Sequence, residues 1–159
     1  SVCSPKCAVK KVRQDKAEER AKVKTRKEAI KTIAQLIADA QIVFNAFIRE
    51  RDKGKGCFVC GRPFTDKPGQ VQHAGHVRSR GAAGHLRFNE DNCHGECEGC
   101  NGPHGAKPHQ IEAGAIRRIG TERYEALVTD NTPHKWQRDE LIAIKHEYRA
   151  KLKELKGRT

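Results

Sequence analysis

The hydrophobic positions of this chain change their spacing along its length, and each change marks an element. Residues 8–28 carry Lys, Arg, Glu and Ala with no Gly or Pro. That composition suits a helix, although its apolar stripe is weak. From residue 30 the stripe strengthens: Ile30, Ile33, Ile37, Ala40, Phe44 and Phe47 follow a 3-4-3-4-3 spacing, a heptad-like seam. Such a seam either packs the helix onto the rest of its own chain or pairs it with a second copy. One helix over residues 8–50 would be about 60 Å long at about 1.5 Å per residue. Asp52-Lys53-Gly54-Lys55-Gly56 ends it. The segment over 55–110 is Gly-rich and aperiodic, with turns at Pro63 and Pro68-Gly69, a strand expected over Gln70 to Val77 and a loop at Gly81 to Gly84. Beyond Pro108, Ile111, Ala115, Ile116 and Ile119 line a short helix ended by Gly120. Thr121 is placed to cap a second one, with Tyr124, Leu127 and Val128 on its apolar face. Asn131-Thr132-Pro133 is a turn, and Trp136, Leu141, Ile144, Tyr148, Leu152 and Leu155 mark the last helix. The expected class is α+β and mostly helical, with helices on both sides of a small irregular middle.

Composition says what holds that middle together. The chain has 159 residues, 36% hydrophobic and 33% charged, enough for one modest domain with extensions but not for a single large core. The net charge is +12 and the pI near 9.6, which calls for a polyanionic partner, nucleic acid first. No apolar run approaches the roughly 20 residues that span a bilayer, and no secretory signal is visible. A start at Ser1 and the absence of Met read as a fragment. Seven cysteines, an odd number grouped as C-x-x-C pairs, argue for metal rather than disulfides. Cys57-Phe-Val-Cys60 and Cys97-Glu-Gly-Cys100 form two knuckles whose four thiolates can close a tetrahedral structural zinc site. Between and just after them lie His73, His76, Asn92 and Asn101, residue types that bind a catalytic metal or activate water. A neutral imidazole is a good base near pH 7, since its unperturbed pKa is about 6.5.

Asn92 stands five residues before the second knuckle, and Asn101 directly follows its last cysteine. With a histidine-bearing strand upstream, that spacing resembles the HNH nuclease motif, a ββα-metal finger. The stretch His73-Ala-Gly-His76-Val-Arg78-Ser-Arg80-Gly-Ala-Ala, then Leu86-Arg87-Phe88-Asn89-Glu90, is similar to the NinG (Rap) family of lambdoid phages. So are Asn45 to Asp52, Arg118-Ile119-Gly120, His134-Lys135-Trp136 and the Ala143 to Leu155 tail. The resemblance implies a structure-specific, metal-dependent endodeoxyribonuclease of phage recombination. It would act in the cytoplasm of the bacterial host on branched double-stranded DNA such as Holliday junctions and D-loops. It implies His76 as the base, His73 as a ligand of a catalytic Mg²⁺ or Mn²⁺, Asn92 as the residue that orients the base or the backbone around it, and Asn101 as a second ligand from the start of a helix. His104, three residues on, could serve instead. The family usually carries Asp where this chain has His73, and Gly102-Pro103-His104-Gly105-Ala106-Lys107-Pro108 differs from its usual run with Ser-Gly-Asn. Cys3-Ser4-Pro5-Lys6-Cys7 resembles the second half of the family's N-terminal zinc ribbon.

The organisation expected is therefore a ribbon remnant over 1–7, a long basic helix with a candidate dimer seam over 8–52, a zinc-stabilised HNH core over 53–110 and C-terminal helices over 111–159. Arg78, Arg80 and Arg87 flank the expected active site as phosphate contacts, and Lys22, Lys24, Arg26 and Lys27 make the N-terminal helix an arm along DNA. Two cuts per junction, like the seam, point to a homodimer. The competing readings are a non-catalytic zinc-finger DNA-binding protein and a zinc protein that binds or cuts RNA.

Overall fold

The computed structural model describes residues 4–102 and 105–157. Contacts divide the chain into two units, Ser1–Gln35 and Leu36–Thr159. The first unit holds α1, Pro5–Ala29. Ser4 caps it by accepting the Cys7 N–H at 3.3 Å, and Pro5 opens it, where its missing N–H is no loss. Its described residues are charged all round and none is buried, as the weak stripe foretold. The one long helix expected over 8–50 is instead two, because the chain breaks over residues 30–32. The Thr32 hydroxyl accepts the Gln35 N–H at 3.3 Å while Gln35 Oε1 accepts the Thr32 N–H at 2.8 Å, a capping box that starts α2, Ile33–Asp52.

In the second unit the α2 stripe is buried within its own chain. Leu36, Ala40, Phe44, Phe47 and Ile48 pack with Leu141 and Tyr148 of α6 (Arg138–Gly157), and with Phe88 and Cys93. Phe44 sits edge-on to Tyr148 at 4.7 Å and to Phe88 at 5.7 Å between ring centroids, the favoured aromatic geometry. The seam from Ala40 to Phe47 therefore packs within the protomer and is not a free dimer face. Trp136 lies before α6, edge-on to Phe88, and its indole N–H donates to Gly84 O at 3.1 Å.

Two strands cross this core. β1 (Gln72–His76) is shorter than expected, and β2 (Cys93–Cys97) is a strand that its Cys, His and Gly content concealed. They pair antiparallel, Gln72 opposite Cys97 and His76 opposite Cys93. On the far side of β2, Asp52 Oδ2 accepts the Gly95 N–H at 2.8 Å and Gly95 O accepts the Phe58 N–H at 2.9 Å. Helix α3 (Glu98–Asn101) follows at once, then α4 (Pro108–Ile119) and α5 (Thr121–Thr129). Gly120, at φ +83°, separates α4 from α5. Thr121 is the first helical residue of α5 and not its cap. Among the described residues no helix is long and apolar enough to cross a membrane.

Candidate metal centre and active site

The two knuckles meet. The sulfurs of Cys57, Cys60, Cys97 and Cys100 all lie within 4.8 Å of one another. Cys60 Sγ and Cys97 Sγ are 3.8 Å apart. A tetrahedron with Zn–S bonds of about 2.3 Å has edges of about 3.8 Å, so the donor set and its size fit a structural metal ion such as zinc. Arg62 donates to Cys60 Sγ at 3.4 Å and faces Cys97 Sγ at 4.0 Å, which offsets part of the thiolate charge. Burial works against ionisation of Cys60, yet the hydrogen bonds from Arg62 bring its thiol down to about 6. Cys93 is not in the group. It is fully buried in the α2–α6 core, and that burial pushes its thiol up to about 12.

His76 ends β1 beside the loop that leads to β2. Its Nε2 lies 3.1 Å from Arg87 O. A carbonyl can only accept, so Nε2 carries the proton and Nδ1 keeps the lone pair. Cys93 Sγ, 3.8 Å from Nδ1, is at most a weak donor to it. Burial, reinforced by the positive charges of Arg80 and Arg87, holds His76 below the ordinary histidine value. Asn92 is fully buried, and its amide staples the loop: Oδ1 accepts the Arg78 N–H at 2.8 Å, and Nδ2 donates to Arg78 O and to Leu86 O, each at 3.1 Å. Asn92 O also accepts the Val77 N–H at 2.9 Å.

The three arginines separate. Arg78 is committed to the fold: its guanidinium donates to Leu127 O at 3.1 Å, to Asp130 O, and to Asn131 Oδ1 at 2.9 Å. That bonding gives it a structural role. Arg80 is exposed. Arg87 gives Nη1 to Gln41 Oε1 at 3.4 Å, while its Nε is buried with no hydrogen-bond partner among the described residues. Burial first, and then the nearby Arg80 charge, pull Arg87 below the ordinary arginine value. Two guanidiniums crowded beside a neutral imidazole make a place where an anion relieves the strain of like charges.

The family described as "Bacteriophage Lambda NinG protein" matches residues 2–158. The chain belongs to the NinG family. It is 39% identical to protein ninG of Escherichia phage lambda over 98% of this chain and 83% of that protein. It is 38% identical to protein ninG of Salmonella phage P22 over 97% and 83%, and 38% identical to that of Escherichia phage 933W over 86% and 66%. No solved structure matches it.

Elsewhere this NinG-family fold places the expected residues less simply. His73 and His76 are three apart on β1, so strand alternation turns them to opposite faces. Asn101 closes α3 instead of starting a helix, and it is exposed. His104 and Cys3 lie outside the described residues. Cys7 stands in the first turn of α1. Lys22, Lys24, Arg26 and Lys27 are all exposed on α1.

The structure adds a network that spacing did not reveal. Asp52, fully buried at the end of α2, takes hydrogen bonds from Arg51 Nε and Nη2, both at 2.9 Å, and from Lys55 Nζ at 3.1 Å. Against the effect of burial, these bonds and the Gly95 N–H hold its carboxyl far below the usual range. Arg51 also donates to Cys93 O at 2.8 Å and meets His94 Nδ1 at 3.3 Å, while His94 Nε2 donates to Asp91 O at 2.9 Å. The only sequence signal was the Arg51-Asp52 pair at the point where helix periodicity ends.

Proposed function

We propose that this NinG-family protein is a metal-dependent endonuclease that cuts branched double-stranded DNA, such as four-way junctions and D-loops, in phage recombination. The setting of His76 carries this reading. Its proton is committed to Arg87 O through Nε2, so Nδ1 is a lone pair held in one orientation. Its lowered pKa keeps the ring neutral at pH 7, the form in which an imidazole acts as a base. Arg80 and Arg87 beside it suit the phosphate of a DNA backbone, and the unpartnered Arg87 Nε is a donor without an acceptor. Asn92 holds the loop that carries them. A divalent cation, Mg²⁺ or Mn²⁺, supplies charge stabilisation at the phosphate when bound.

The knuckles have a supporting role: they fix β2 and α3 against the first cysteine loop. Shape and charge recognition suits branched DNA better than base stacking, given one Trp, two Tyr and five Phe. A homodimer is proposed from the need for two cuts. It would have to meet through surfaces other than the buried part of the α2 stripe.

The test is cleavage of a four-way junction and a linear duplex in Mg²⁺, Mn²⁺ and Zn²⁺ by wild type and His76→Ala. Junction cutting by wild type, and its loss by about a hundredfold or more in the variant with binding intact, is expected for removal of a general base. Binding without cutting in any metal would leave a zinc-held DNA-binding protein.

A further inference from the structure

We propose that one face of α1 docks on the phosphate backbone of double-stranded DNA, and that Lys6, Lys10, Arg13, Arg20, Lys24 and Lys27 form it. The choice of DNA rests on the reading above; the face itself does not. At roughly 100° per residue these six, spaced 4-3-7-4-3 with Ala17 in the gap, fall on one side of the helix. All six are exposed. Asp15, Glu18 and Glu19 lie on the opposite side with Lys11, Lys22 and Arg26, so that side is close to neutral. Glu28, the acidic residue at the edge of the basic stripe, is engaged by Lys31 at 2.7 Å. Helix geometry thus redraws the arm expected from the sequence: Lys24 and Lys27 belong to the stripe, whereas Lys22 and Arg26 do not.

The stripe works against the helix unless a polyanion covers it. Like charges three and four residues apart on a helix repel, as in Lys6–Lys10, Lys10–Arg13, Arg20–Lys24 and Lys24–Lys27. No described residue of α1 is buried, so packing does not offset that repulsion. Phosphates along the stripe neutralise it and release counterions. From Lys6 to Lys27 the stripe runs about 32 Å at about 1.5 Å per residue, close to the ~34 Å of one B-DNA turn. The apolar residues of α1 favour no other partner. Val9, Val12 and Val23 are exposed, and the helix has no Leu, Ile, Phe or Trp. A helix that lies in a membrane surface needs a broad apolar face, and a protein interface needs large apolar or aromatic anchors.

The experiment uses the whole zinc-loaded chain and two triple variants that remove the same charge. Arg13→Gln, Arg20→Gln and Lys24→Gln strip the basic face; Lys11→Gln, Lys22→Gln and Arg26→Gln strip the opposite one. Gln is a good helix former, and circular dichroism checks that α1 persists in both. Binding to a labelled DNA duplex longer than the stripe is followed by fluorescence anisotropy across a salt series, without added Mg²⁺ or Mn²⁺. The first variant should lower the slope of log affinity against log salt by about 2.7, the value of three phosphate contacts, and the second by less than about 0.9. Arg13→Lys with Arg20→Lys keeps the charge and should keep the wild-type slope. Equal slopes in the two triple variants overturn the proposal, as does a slope that falls in the Lys double variant. A stripe-dependent loss seen on an RNA duplex of the same length and not on DNA overturns the choice of DNA. Stripe-dependent DNA binding by a protein that cuts nothing in any metal supports the arm and sinks the endonuclease reading.

Discussion

Asn92 grips the Arg78 backbone from both sides, accepting its N–H at 2.8 Å and donating to its C=O at 3.1 Å. The pair fixes the loop after β1 to the turn before β2, and so sets where His76 points. Asn92→Ala leaves the Arg78 C=O and N–H unpaired and takes from Leu86 O one of its two donors. Each buried unsatisfied group costs about 1–3 kcal/mol, so the variant should lose several kcal/mol in urea unfolding. Asn92→Asp keeps the acceptor but turns a carboxylate oxygen on two carbonyls in a buried place, and should lose at least as much. An Asn92→Ala protein as stable as wild type would contradict this account of the loop.

Arg78 and Arg80 should give opposite phenotypes although they are two residues apart. Arg78→Ala removes the donors to Leu127 O, Asp130 O and Asn131, and should lower stability by about 1–3 kcal/mol. Arg80→Ala should leave stability within about 0.5 kcal/mol, as exposed substitutions do. It should instead weaken junction binding and reduce the slope of log affinity against log salt by about 0.9, the value of one phosphate contact. Thermal unfolding and a binding series in salt read both.

Acid should weaken the fold in a window set by His94. Burial, with Arg51 beside it, brings its pKa down to about 4. The unfolded value is near 6.5, so the unfolded chain binds the extra proton first. The stability from keeping His94 neutral is therefore full above about pH 6.5 and is lost as pH falls toward 4, roughly 3 kcal/mol in all. The depressed Asp52 carboxyl acts in the same sense at lower pH. His94→Gln can still donate to Asp91 O but does not titrate, so its urea midpoint should change less over this range. The same pH slope in both proteins would refute the assignment.

Loss of one knuckle thiolate should cost folding before it costs chemistry. A structural zinc site in small domains contributes about 10–16 kcal/mol of binding free energy that appears as folding free energy. Cys97→Ala, or a strong chelator, should therefore unfold the region around β2 and α3, with cleavage lost as a consequence. Hydrogen exchange of the β2 amides and zinc content measure it. A folded, zinc-free Cys97→Ala protein with normal cleavage would reverse that order.

Much of the local structure was legible because it rests on local signals. Gly120 and the paired C-x-x-C knuckles each act within a few residues, and each appears where its chemistry requires. The NinG-family membership was legible for the same reason, as motif residues at fixed offsets. The break at 30–32, made by the Thr32–Gln35 capping box, was masked by an apolar spacing that runs straight through it.

By itself the sequence determined most of the helices and the four-cysteine donor set, since these depend on residue type and short spacing. Only the tertiary structure decided how they are used. The α2 stripe is an internal face because α6 and Phe88 return to cover it. Arg78 is a staple and Arg87 a partly unpartnered donor because of carbonyls and side chains up to 53 residues away. Glu96 lies over Gly75 only because β2 pairs with β1. Periodicity reports what a residue's neighbours in sequence favour, whereas partners across a ribbon or a core are chosen by packing, and no local signal encodes them.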